Sequence, residues 1–146
     1  MKHLKLLVIV IAVGAVFLFI VGCSGAGAGA GSTCTLSGSV ATPAIAPIVP
    51  DGTYVYLKLV ANGGSSGASA VYWTRAQFSG GTASYSISGI ASGVYTGWVF
   101  IDMNDNAPNN STAMPDTGDY GLQTGQQIDI SSDRTQNVGP NGWNLV

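Results

Sequence analysis

The chain has 146 residues, 46% of them hydrophobic and only 8% charged, with a formal net charge of −2. There is no glutamate, and the single histidine is His3; beyond residue 22 the bases are Lys58, Arg75 and Arg134, set against seven aspartates. Such a domain carries no basic footprint for nucleic acid and no basic patch for anionic lipid. It also lacks the usual histidine and glutamate of acid–base catalysis and the histidines of zinc sites, so the composition points away from an enzyme.

Lys2 and Lys5 open the chain and are followed by an apolar run from Leu6 to Val21, closed by Ile20-Val21-Gly22-Cys23. A basic start, an apolar stretch and small residues at the cut form a secretory signal. At ~1.5 Å per residue in a helix the run reaches roughly 24 Å, short of a ~30 Å hydrocarbon core. An uncleaved anchor and ordinary cleavage within the Ala/Gly stretch are the alternatives. The four residues ending at Cys23 resemble the lipobox of bacterial lipoproteins. That resemblance implies removal of residues 1–22, lipidation of Cys23 and a membrane partner reached through the lipid anchor. It places the protein in the bacterial cell envelope, with Ser24 favouring the outer membrane in a Gram-negative cell. Two or more acyl chains are needed for stable anchoring.

Residues 23–33 read as a tether, because Gly25 to Gly31 alternates glycine and alanine, with nothing large enough to pack. Residues 34–146 are one domain by length. With Cys23 lipidated, Cys34 is expected to be a small half-buried strand residue; a Cys34–Cys34 dimer or a Cys23–Cys34 bridge in an unlipidated form are the alternatives.

Strand patterns then follow one another, with no amphipathic helix between them. Cys34 to Val40 opens the set, and the prolines of Thr42 to Pro50 mark a loop or edge crossing. Thr53 to Val60 alternates Val55, Leu57 and Leu59 against Tyr54, Tyr56 and Lys58. Asn62 to Gly67 is a break, and Val71 to Phe78 is a mixed aromatic strand. Ala83, Tyr85 and Ile87 alternate with Ser84, Ser86 and Ser88, predicting a hydroxyl-lined outer face. Val94 to Ile101 is apolar on both faces, as a central strand is. Gln126 to Ile130 and Trp143 to Val146 complete seven strands, an all-β sandwich.

The stretch Tyr85-Ser-Ile87-Ser-Gly89-Ile90-Ala-Ser-Gly93-Val-Tyr95 resembles the core of prealbumin-like, carboxypeptidase-regulatory-type modules. Gly38-Ser39-Val40 would belong to their first strand. Gly89 and Gly93 permit positive φ at a tight reversal, and Tyr95 is expected to pack back over the turn. The resemblance implies a Greek-key-type sandwich acting as an accessory or structural domain, and it supplies no catalytic residues.

Asp102, Asn104 and Asn106 alternate after the central strand, and Asp116 and Asp119 follow. No Lys or Arg lies between Arg75 and Arg134. Uncompensated carboxylates interleaved with amide oxygens suit calcium, which takes six to eight oxygens. An EF-hand is not present, since Ala107 stands where its glycine would be and Ala113 where its glutamate would be. Asp, Asn, Gly and Pro are also ordinary turn residues, so a metal-free turn is the competing reading.

Three function classes follow. The first is a non-catalytic, lipid-tethered envelope module, structural or protein-binding, with calcium as its one expected cofactor. The second is a carbohydrate-binding module using Trp73, Trp98 and Trp143 as platforms for a glycan, against the commoner use of aromatics as packing. The third, a glycosidase-like pair of Asp102 with Asp116 or Asp119, needs a fixed carboxylate separation that a loop holds poorly. A Lys58–Asn isopeptide bond is a further possibility. Asn109 and Asn110 head accidental glycosylation sequons.

Overall fold

A computed structural model describes residues 32–46, 48–123 and 125–146. The leader, Cys23 and the Gly/Ala segment therefore lie outside the described residues. Nine strands and no helix make up the described chain: β1 (Thr33–Ala41), β2 (Tyr54–Ala61), β3 (Tyr72–Gln77), β4 (Thr82–Ala91), β5 (Gly93–Asp102), β6 (Tyr120–Leu122), β7 (Gln126–Ile130), β8 (Arg134–Thr135) and β9 (Trp143–Leu145). Seven coincide closely with the strands expected from alternation. The additions are β6 and β8, three and two residues long.

Two sheets form the sandwich. One has the order β4-β1-β8; the other runs β3-β2-β5-β6-β9, with β7 also pairing β5. β5 is central, as its two-faced apolar pattern predicts. It lies antiparallel to β2 from Tyr54↔Asp102 to Ala61↔Tyr95, while its other edge is shared by β7 and β6.

The inner faces follow period-two alternation. Leu36 and Val40 from β1 and Ala83, Tyr85 and Ile87 from β4 meet Val55, Leu57, Leu59, Val99 and Ile101 from the larger sheet. Ile87 and Ile90 are three residues apart, so strict alternation would put them on opposite faces. The register shifts between Cys34↔Ile90 and Leu36↔Ile87, and Gly89 adopts φ +73°. This bulge returns both isoleucines to the core.

The other glycine of the motif behaves differently. Gly93 is not in the left-handed region, and a Cβ there would make only ordinary contact, 3.5 Å, with the Tyr95 ring. Tyr95 packs back over the turn as expected, its hydroxyl donating to the Ala91 carbonyl at 2.8 Å.

Gly38 lies against the last part of the chain, where a Cβ would overlap the Gln136 carbonyl. That carbonyl accepts the Tyr85 hydroxyl at 2.5 Å. Burial pushes the Tyr85 phenol up to about 12, with Arg134 pulling weakly the other way.

Candidate functional site

β5 ends at Asp102, and the chain returns to the sheet only at Tyr120. Within that excursion all five residues expected at a calcium site come together. Asp102, 1% exposed, accepts the N–H groups of Asn106 at 3.2 Å and Ala107 at 3.0 Å. Asp119, fully buried, accepts from Met103 at 2.9 Å and Asp116 at 3.0 Å through its two oxygens. The side-chain amides of Asn104 and Asn106 donate to the two oxygens of Asp116, at 3.0 and 2.6 Å.

The arrangement is a brace. Two buried carboxylates hold the ends of the loop by its backbone, and the third ties two asparagines together. Asp105 takes φ +54° within it, a conformation short polar side chains tolerate. Desolvation holds the Asp119 carboxyl above its usual range. Its two N–H bonds pull the other way, and Asp102 and Asp116 nearby add to the rise. Among the described residues no group of three or more His, Cys, Asp or Glu is placed to hold a metal ion.

The same excursion covers the outer face of the larger sheet. The β2 alternation is as predicted, yet the Tyr56–Lys58 face is as buried as the other: Tyr56 is 0% and Lys58 3% exposed. Tyr56 stacks on Phe100 with ring centroids 4.8 Å apart and planes 2° apart. Its hydroxyl donates to the Ala107 carbonyl at 3.0 Å. Ala113 packs with the Tyr56–Phe100 pair.

Lys58 stands opposite Trp73 on one neighbouring strand and Trp98 on the other. Its Nζ donates to the carbonyls of Ala113 at 2.8 Å and Ser66 at 3.1 Å. Burial pushes this ammonium below the usual lysine range. Among the described residues no asparagine side chain is hydrogen-bonded to it.

Beside Lys58 opens a cleft of about 370 Å³, walled by Trp98, Ser66, Gln123, Asn144 and Leu145. The Trp98 indole N–H donates to the Gly64 carbonyl at 3.1 Å, while Gln123 donates to Asn144 across the far wall at 2.5 Å. A second pocket, lined by Leu36, Leu57, Tyr85 and Val99 between the sheets, measures about 20 Å³.

The three tryptophans do not form one platform. Trp73 and Trp98 are half-buried on the outer face, whereas Trp143 is 3% exposed in the core, its indole donating to the Gly139 carbonyl at 3.0 Å. Asp102, Asp116 and Asp119 are joined through the brace. Cys34 is 1% exposed and disulfide-bonded, so it is fully rather than half-buried, and its thiol is not free. In the sequon loop the Asn110 side chain accepts from the Thr112 N–H at 2.8 Å and hydroxyl at 2.7 Å, an ordinary turn.

Sequence reasoning missed the cleft and its lysine. The available signal was that the only lysine beyond residue 22 sits in the middle of an apolar strand, where a buried cation is costly.

No protein-family model matches the chain, and neither a curated protein nor a solved structure matches it.

Proposed function

We propose that the chain is a non-catalytic, exported β-sandwich, tethered to the bacterial envelope through lipidated Cys23 and serving there as a structural or protein-binding module. The observation that carries the reading is how the carboxylates are used. Asp102, Asp116 and Asp119 each accept two N–H groups within one loop, an arrangement suited to holding shape rather than moving protons.

The disulfide at Cys34 suits an exported chain, since disulfides persist in oxidising compartments, but it counts against lipid at Cys23 rather than for it. It also sharpens the test of the tether. The chain has only two cysteines, so within one chain a thioether at Cys23 and a disulfide at Cys34 are mutually exclusive. Intact mass of the membrane fraction separates them. A diacylglyceryl and acyl increment lost in Cys23→Ala supports the lipid tether; a mass lower by two hydrogens with no acyl increment supports a secreted, bridged form and ends the lipoprotein reading.

Calcium would act on this module at the brace. The ion would need the Asn104 and Asn106 amides turned over, a change that leaves their shape almost unaltered, and the aspartate oxygens withdrawn from some N–H donors. Thermal unfolding of the purified protein in EDTA and then in excess calcium tests this. At ~100 times Kd the gain is about 2.7 kcal/mol, a rise of roughly several degrees. A rise lost in Asp116→Ala supports the calcium site; coincident curves discard it.

Carbohydrate binding is the second reading. It is favoured by the position of the cleft beside the Trp98 indole, and a shift of the Trp98 indole signal on titration with soluble sugars would support it.

A further inference from the structure

Two asparagines of the chain precede a glycine, in Asn62-Gly63 and Asn141-Gly142. Asparagine is a chemically labile residue, and this dipeptide is where it is most so. The glycine nitrogen can reach the side-chain carbonyl carbon because no Cβ stands in its way. The two sites match in exposure and backbone. All four residues are exposed, Gly63 and Gly142 take φ +79° and +85°, and a Cβ at either would meet nothing within 4 Å.

They differ in what holds the reacting groups. At the first, the Gly63 N–H donates to the Thr96 hydroxyl at 2.8 Å, and Thr96 is itself buried. The Asn62 side-chain oxygen accepts from Gln127 at 3.1 Å. Nucleophile and electrophile are thus tied to different neighbours. At the second site, among the described residues, nothing is bonded to the Gly142 N–H or to the Asn141 side chain. The flanking carbonyls are held instead, Pro140 accepting from Ala44 at 2.7 Å and Gly142 from Gln123 at 3.1 Å. The bend is fixed on both sides of an amide whose nitrogen and side-chain neighbour are unrestrained.

We propose that Asn141 is a site of spontaneous deamidation, a modification that the fold suppresses at Asn62. The Gly142 nitrogen gives its proton to solvent and bonds to the Asn141 Cγ. The Cγ–Nδ2 bond breaks, and the side-chain nitrogen leaves as ammonia with a proton from solvent. Water then opens the five-membered imide at one of its two carbonyls, leaving aspartate or isoaspartate. No electrons change hands, and water is the only co-reactant. The isoaspartate product carries the main chain through its side chain, lengthening it by one carbon between Gly139 and Trp143. The Trp143 indole donates to the Gly139 carbonyl across that stretch at 3.0 Å, so the change reaches the anchor of β9.

The test is incubation of the purified protein at mildly alkaline pH, folded and in urea, with peptide mapping by mass spectrometry and isoaspartate labelling at intervals. In the folded protein Asn141 should convert at least about tenfold faster than Asn62, the factor that one or two hydrogen bonds are worth. In urea the two rates should converge, because only the dipeptide then matters. Asn141→Gln should remove the fast conversion. Thr96→Val should raise the Asn62 rate several-fold and leave that of Asn141 unchanged. Should Thr96→Val not fold, Gln127→Ala, at an exposed position, frees the Asn62 side chain and should raise the same rate. Equal folded rates, or a faster Asn62, overturn the proposal. A ratio that persists in urea overturns the part given to the fold, and an Asn141 that converts only in urea overturns the site.

Discussion

On the smaller sheet the outward residues of β4, Thr82, Ser84, Ser86 and Ser88, face solvent, while on the larger sheet the outward residues Tyr56 and Lys58 of β2 are sealed. Both strands alternate, and both inner faces fill the same core. What differs is the chain that crosses each outer face. The excursion between β5 and β6 lays Ala107 and Ala113 over Tyr56 and Phe100 and is clamped at both ends by the buried aspartates. A sheet face is therefore buried or wet according to the connection that returns across it, and the cleft lies beside the segment that does so.

The largest effect should come from removing what lies under this cover. Tyr56→Ala should cost about 3–5 kcal/mol in urea unfolding, as large-to-small core changes do, whereas Tyr56→Phe, which keeps the stack on Phe100, should cost about 1 kcal/mol. Equal costs for the two would show that the hydroxyl, not the ring, holds the cover. Asp119→Ala leaves the N–H groups of Met103 and Asp116 without their acceptor. At about 1–3 kcal/mol for a fully buried group, and less for these part-buried ones, the expected loss is about 1–3 kcal/mol. A loss under about 0.5 kcal/mol, the range of ordinary surface changes, would mean that the loop is held elsewhere.

Alkaline pH should act in opposite directions through Lys58 and Tyr85. Lys58 has its folded pKa lowered from 10.5 by burial. Between that lowered value and 10.5 the unfolded chain binds more protons, so stability rises with pH. Tyr85 runs from 10.0 unfolded to about 12 folded; between these values the folded chain holds the extra proton, so stability falls as pH rises. Lys58→Met should flatten the first limb and Tyr85→Phe the second. Tyr95, also raised by desolvation, keeps part of the fall, so a Tyr85→Phe profile as steep above pH 10 as the parent's would refute the assignment. Asp119 has a raised folded pKa, so its contribution is fully present below its unfolded value of 3.8 and is lost as pH rises through the folded value. Smallest of all, Ser84→Ala and Ser86→Ala should stay within about 0.5 kcal/mol; a larger loss in either would show that the hydroxyl face is covered too.

Much of this was legible in the sequence. Ala83 to Ser88 announces its wet face and Val94 to Ile101 its central place, because their patterns are long enough to show a period. β6 and β8 were not legible: two or three residues have no period, and they are strands only because β5 and β1 offer partners. The five brace residues were readable from their uncompensated charge, but their partners were not, since a carboxylate that binds calcium and one that accepts N–H groups look alike in a list of residues. The burial of Tyr56 and Lys58 depends on Ala107 and Ala113, some fifty residues downstream, beyond any local pattern.

One further consequence concerns load. β1 follows directly on the Gly/Ala segment and lies between β4 and β8, antiparallel to one and parallel to the other. Beyond β8, Gln136 and Val138 donate to Ser37 and Ser39, and Ala41 donates back to Val138. A pull arriving ahead of Thr33 runs along the axis of β1, across the direction of its bonds to β4. Those bonds are strained side by side, rather than opened one after another as in a zipper. Under the proposed tether the load would therefore enter in shear across β1 rather than peel it as an edge strand.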